Sequence, residues 1–332
     1  MSAERYSRLA PLQLEQRKNI ALAALDFFSP ISYEKVSAAI DRSPTPGRTE
    51  PFDGSDFLTY LEKTGVLSDS RKYSARIRDL LEKLESTGLL TYMGQGRDVL
   101  IGKRYYFLKE LTALERKGLL WTAPALGPEF LYSVFSTITA QITGTGKEGD
   151  AHAGTALAIA PNWLLTCAHV INDMEIDEEQ TILGRPYRVV RKLSHKSIDV
   201  GLIQVEQELT VIDALAFRDP FLSEPVFTFG FPFVPLAREP ALIMQRGEVT
   251  STNVKLLDGR DVFLYSAIAR PGNSGGPILS ESGHVLGIVT EQLERQGMTY
   301  TLPFHAGVSA ATISSAIAEI QPSLQLPVEN YA

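Results

Sequence analysis

Cysteine is almost missing from this chain: one residue, Cys167, in 332. A single thiol excludes any intramolecular disulfide, and so the cross-linked scaffold of small extracellular domains. Histidine is scarce too, with five residues. None stands at metal-ligand spacing from a cysteine or a carboxylate, and no glycine loop of the phosphate-cradling kind is present. The expectation is therefore no metal and no cofactor. No run approaches the ~18 unbroken apolar residues of a membrane span. The amino terminus, Met-Ser-Ala-Glu-Arg-Tyr-Ser-Arg, is polar and lacks a secretory pattern. These absences point to a cytoplasmic protein in a reducing compartment, with no membrane partner.

What is present divides unevenly. Residues 1–125 carry 19 Lys+Arg and 16 Asp+Glu, a net +3; the remainder carries 13 and 23, a net −10. The acidic part disfavours nucleic acid as its partner and leaves the question open for the first part. Length alone allows two domains. We expect the first at residues 1–125 and the second at 126–332, joined near Pro124 to Pro128.

The first part reads as helical. Apolar residues recur at helical intervals from Leu12 to Phe28 and, most clearly, from Tyr73 to Leu90. Three prolines and two glycines break the segment 41–54, and Phe57 to Val66 is a short amphipathic stretch. Thr91 to Leu108 reads as two short strands around a glycine-containing turn, after which Glu110 to Leu120 returns to helical character. Helices followed by a small hairpin resemble a winged helix-turn-helix module. In that family the helix before the hairpin often enters the major groove. Here it would present Arg76, Arg78 and Lys83, with Arg97, Lys103 and Arg104 on the wing, against Asp79, Glu82, Glu85 and Asp98. The resemblance implies a DNA or a protein partner for residues 1–125.

From Leu131 the pattern changes to short β-rich runs separated by turns, and Ala310 to Ile320 ends in a helix. Three segments here carry chemistry. Residues 164–170 read Leu-Leu-Thr-Cys-Ala-His-Val, residues 197–205 read Ser-Ile-Asp-Val-Gly-Leu-Ile-Gln-Val, and residues 271–277 read Pro-Gly-Asn-Ser-Gly-Gly-Pro. They supply a base (His169), a carboxylate (Asp199) and a hydroxyl (Ser274). A serine hydroxyl is a poor nucleophile until a base takes its proton and a third group holds that base in one tautomer. The strand-like Pro277-Ile-Leu-Ser after the serine argues against the strand-to-helix elbow of esterases.

With these motifs, residues 131–320 resemble the trypsin-like, chymotrypsin-fold serine proteases, closest to the bacterial HtrA-type branch, although no PDZ-like segment follows. The resemblance implies a multidomain α+β chain: a winged-helix-like domain, then an all-β double barrel with a C-terminal helix. It implies an intracellular endopeptidase acting on protein or peptide substrates, controlled or targeted by its first domain, in a stress or defence pathway. A DNA-binding regulator with a self-cleaving protease domain is the alternative. His169, Asp199 and Ser274 would be catalytic, with the backbone N–H groups of Gly272 and Ser274 binding the oxyanion. By motif position Thr290, Gln292 and His305 would face the specificity pocket and Ile268 would form its floor, favouring small or medium apolar residues before the cut. Asn273 stands where many relatives have an aspartate that pairs with a newly cut amino terminus, so activation by cleavage is not expected. His195 reads as solvated, His152 as a loop residue, His284 as part of a hairpin turn and Cys167 as buried packing.

Overall fold

The computed structural model describes residues 11–44, 47–96, 98–293 and 304–329. The chain forms two compact units. One runs to Ala113 and takes in Thr122–Phe130; the other comprises Leu114–Trp121 and the residues from Leu131 onward.

The first unit is built on helices α1 (Leu14–Phe27), α2 (Tyr33–Ala39), α3 (Gly54–Lys63) and α4 (Ser74–Ser86), followed by strands β1 (Thr91–Gln95) and β2 (Lys103–Tyr106). Helix α4 buries Ile77, Leu80, Leu81 and Leu84, one stripe at helical spacing. Asp53 starts α3 by accepting hydrogen bonds from the amides of Ser55 and Asp56. The centre is aromatic: Phe27 meets Phe28, Phe52, Phe57 and Tyr60 at ring separations of 4.8–5.1 Å, and Tyr105 of β2 closes on Phe28. Strands β1 and β2 pair antiparallel, as the sequence pattern predicts. Arg97, expected on the wing, lies outside the described residues.

Two expectations fail. Residues 110–120 form no helix of any length, only a 3₁₀ turn at Glu115–Lys117 and a second at Leu120–Thr122. Gly118, fully extended, breaks the run. Conversely, residues from Leu131 do not begin a strand, because helix α5 (Pro128–Phe135) extends through them. Its proline stands at the first helical position, where the missing N–H costs nothing, and Phe130, Leu131 and Phe135 are buried.

The second unit holds two β-sheets. Six strands close a barrel in the order β10 (Pro225–Gly230), β11 (Ile243–Lys255), β12 (Asp261–Tyr265), β15 (Phe304–Ser309), β14 (Val285–Leu293), β13 (Pro277–Ser280). Its core includes Val226, Phe263, Ile278, Leu286 and Val289. Seven strands form the other sheet: β6 (Met174–Ile176), β3 (Thr139–Gly146), β4 (Ala151–Ala160), β5 (Trp163–Thr166), β9 (Gly201–Val205), β8 (Arg185–Ser194), β7 (Glu179–Ile182). Its ladder is open, so the expected pair of closed barrels becomes one barrel and one rolled sheet. A side chain closes the seam that the ladder leaves. Gln180 of β7, fully buried, accepts from the Thr143 amide (2.8 Å) and donates to the Thr143 carbonyl (3.0 Å). Helix α6 (Ala168–Asp173) follows β5, and α7 (Ala310–Ile320) ends the fold where the sequence pattern places it.

Candidate active site

Each of the three chemical residues sits at the end of a strand. His169 opens α6 just after β5. Asp199 lies in the turn between β8 and β9, and Ser274 lies in the loop that leads from β12 into β13. Asp199 is buried, and both of its oxygens are engaged. Oδ1 accepts from the His169 amide (3.0 Å), Oδ2 meets His169 Nδ1 (2.8 Å), and the Thr290 hydroxyl donates to Oδ2 as well. Burial alone would raise the pKa of this carboxyl. The hydrogen bond and charge of His169, with the Thr290 hydroxyl and the His169 amide, outweigh burial and hold it well below the usual carboxylate range. Asp199 is thus a fixed anion bound to Nδ1.

Ser274 is joined to this pair through Thr290. Its Oγ donates to the Thr290 carbonyl (3.1 Å), while the Thr290 side chain holds Asp199. The loop before Ser274 is tightly specified. Gly272 has φ +98° and Gly275 φ +84°, left-handed values that disfavour any side chain. A Cβ on Gly275 would also collide with the Thr155 carbonyl and the Thr166 hydroxyl. The amides of Asn273, Gly275 and Gly276 donate to Arg270, Val289 and Asn273. Among the described residues, those of Gly272 and Ser274 donate to no protein acceptor. Two unengaged N–H groups flanking a serine can hold an oxyanion.

Thr155 of β4 orders that loop. Its hydroxyl accepts from the Phe231 amide (3.0 Å) and donates to the Gly272 carbonyl (2.7 Å), and its own amide donates to the Ser274 carbonyl (2.8 Å). His195 does the same for the Asp199 turn. It is buried rather than solvated; Nδ1 accepts from the amides of Ser197 (3.2 Å) and Ile198 (2.9 Å), and Nε2 meets Glu319 (2.9 Å). Its sequence context, Leu-Ser-His-Lys-Ser, is polar, but the turn needs an acceptor and the imidazole supplies it. Neither Thr155 nor His195 carries a local signal of this role. His152 is a strand residue of β4, not a loop residue, and pairs with Asp150. His284 lies in the expected turn, where it bonds Ser282 (2.9 Å) and Glu329 (2.8 Å).

The expected specificity residues fare unevenly. Thr290 does not face a pocket: alternation along β14 turns its side chain inward to Asp199. His305 is buried and stacks on Tyr265 (ring separation 6.0 Å), with the Ala269 amide on its Nδ1 (3.4 Å). It packs on Tyr265 and Ala269 instead of meeting solvent. Ile268 is 48 % exposed and forms no sealed floor. Gln292 pairs with His305 in the ladder; its side chain is not among the described ones. Asn273 is buried, and its Oδ1 has no hydrogen-bond partner among the described residues.

Cys167, His169 and Asp199 bring donor atoms within 4.8 Å of one another. They do not suit a cation. Burial pushes the Cys167 thiol far up in pKa, its Sγ donates to the Val289 carbonyl (3.1 Å), and the carboxylate is already saturated by hydrogen bonds. A metal would require a thiolate here.

A barrel beside a rolled sheet, with His, Asp and Ser at strand ends in that chain order, is the arrangement expected of a trypsin-like peptidase domain. Residues 154–288 match the family model described as trypsin-like peptidase domain. The chain is 27 % identical over 164 residues to serine protease HTR4 of Rattus norvegicus, a match covering 48 % of this chain and 33 % of that protein. It is 29 % identical over 164 residues to serine protease HTRA4 of Mus musculus, covering 48 % and 34 %. It spans about a third of the length of these curated relatives. Among solved structures it is similar to the active form of the Rv3671c protease from M. tuberculosis, with TM-score 0.48, 18 % identity, and 57 % of this chain and 84 % of that chain covered. The second unit is thus similar to trypsin-like peptidase domains, with relatives in the HtrA branch.

Proposed function

We propose that this chain is a serine endopeptidase. The reading is carried by one observation: a buried, doubly bonded Asp199 on His169 Nδ1, linked through Thr290 to a serine beside two unengaged amides. Asp199 keeps the proton on Nδ1, which leaves Nε2 as a base. The Ser274 hydroxyl turns from the Thr290 carbonyl to Nε2, gives up its proton and attacks the scissile carbonyl. The developing oxyanion is received by the N–H groups of Gly272 and Ser274. Imidazolium then protonates the leaving amine, and water activated by the same base releases the acyl group.

The first unit serves as a docking or regulatory module, and a winged-helix reading accords with its helices and hairpin. Protein docking is favoured over DNA because the basic side chains already face acids. Arg76 and Arg78 lie 3.9 and 3.7 Å from Asp79, and Lys103 reaches Glu85 at 3.1 Å. The hairpin tip exposes Val99 and Leu100, an apolar surface of little use against phosphate. A cytoplasmic setting and control by loop ordering rather than chain cleavage belong to the same reading.

A fluorophosphonate probe tests the core of it. The full chain takes the label at Ser274, and Ser274→Ala, with unchanged circular dichroism, takes none. Labelling retained at another residue overturns the nucleophile assignment.

A further inference from the structure

His195 and Glu319 stand 124 positions apart, yet Nε2 of the imidazole and Oε2 of the carboxylate lie 2.9 Å from each other. The imidazole is buried, with 7 % of its side chain exposed, whereas the carboxylate is at the surface, 68 % exposed. Nδ1 accepts from the amides of Ser197 and Ile198 and so carries no proton. The ring's single N–H is therefore on Nε2 and donates to Glu319. The residue after Ile198 is Asp199.

We propose that Glu319, next to last in α7, is a positioning residue for Asp199, and that it acts only through His195. The carboxylate holds the imidazole in the one tautomer whose Nδ1 can close the turn that carries Asp199. The proposal rests on the serine-endopeptidase reading and adds to it a point of control on a helix remote in sequence.

Three observations carry it. First, the turn alone does not call for an imidazole. At the start of α3, Asp53 accepts from the amides two and three residues on, Ser55 and Asp56, at 3.0 Å each. His195 makes the same pair of bonds to Ser197 and Ile198, a task that Asn and Asp side chains perform routinely. What the imidazole adds is a second nitrogen directed out of the turn, and that nitrogen is on Glu319. Second, Glu319 does nothing for its own helix. It lies in the last turn of α7, where a negative charge opposes the helix dipole, and that turn holds no basic residue. Among the described residues His195 is its one partner. Third, the base from which it reaches is fixed. Ser309 caps α7 by accepting from the Thr312 amide, Asp219 accepts from the Ala311 amide (2.9 Å), and Ala310, Ile313, Ala316 and Ile317 are buried. Without the carboxylate, the ring proton is free to move to Nδ1. There it would face two N–H groups, the turn would open, and Asp199 would swing off His169.

Labelling of Ser274 by a rhodamine fluorophosphonate tests this in the full chain, since saturation kinetics separate the rate of the chemical step, kinact, from the binding constant KI. Glu319→Ala should lower kinact by about 5- to 20-fold with KI within about twofold, inside the ~100-fold that a 1 Å misplacement costs. Glu319→Gln, whose carbonyl oxygen still accepts from Nε2, should stay within about twofold of wild type. His195→Asn keeps an acceptor for the turn and severs the tie to α7. In that background Glu319→Ala should change kinact by less than about 1.5-fold, so the double-mutant cycle shows the full coupling. Glu319 is exposed, so its two variants test the proposal even if the His195 variant folds poorly. An undiminished kinact in Glu319→Ala overturns the proposal, as does a Glu319→Gln variant as slow as the alanine one. An equal loss in the His195→Asn background also overturns it, because the carboxylate would then act by another route. If the wild-type chain takes no label at Ser274, the peptidase reading falls and the positioning role falls with it.

Discussion

At the scale of residues, the site depends on groups that polarise nothing themselves. Thr155 is the clearest. Thr155→Val keeps the shape but leaves the Gly272 carbonyl and the Phe231 amide without their partner. We expect kcat to fall by about 10- to 100-fold with KM within threefold, since only the transition-state oxyanion senses the loop. Thr155→Ser should restore the rate; a serine variant as slow as the valine one would show that packing, not the hydroxyl, matters. Asp199→Asn should lower turnover by roughly 10⁴ through the wrong imidazole tautomer. It also has a stability signature. Folding lowers the pKa of this carboxyl, so its stabilisation is complete above about pH 4, the unfolded value, and drains away as acid protonates the native state. Urea unfolding should therefore place the variant below wild type by a constant margin at neutral pH, with the two converging in strong acid.

At the scale of elements, short-range pattern and long-range closure part company. The glycine loop, the hairpin of the first unit and α7 were legible because each is decided locally: φ > 0 positions, a turn between alternating runs, an amphipathic period. Strands β5, β6 and β7, of three or four residues, are too short to show a period. The inward turn of Thr290, and the link from Thr155 to a carbonyl 117 residues away, are set by sheet registry that no local window contains. The Gln180 seam belongs here too. Gln180→Leu leaves the part-buried Thr143 amide without its acceptor and takes a donor from the Thr143 and Asp177 carbonyls, which should cost about 1–3 kcal/mol. Chemical denaturation with an unchanged m-value would measure it, and a loss below about 0.5 kcal/mol would mean that water replaces the carboxamide.

At the scale of the whole molecule, the three motif segments carried the likeness to trypsin-like peptidases, while the role of the first unit had no comparable motif behind it. Its basic residues looked like a nucleic-acid face in sequence; in space Arg76, Arg78 and Lys103 pair with acids. The full chain should give no shift of a 20-base-pair duplex at about 0.15 M salt. A salt-dependent shift, lost in Arg76→Ala with Arg78→Ala, would restore the DNA-binding alternative.

The lone thiol supplies a further handle. Cys167, fully buried and two residues before His169, is sealed from maleimides as long as the native core around it stays shut. Its rate of alkylation thus clocks the breathing of the machinery, in a chain whose composition offers no second thiol to confuse the reading.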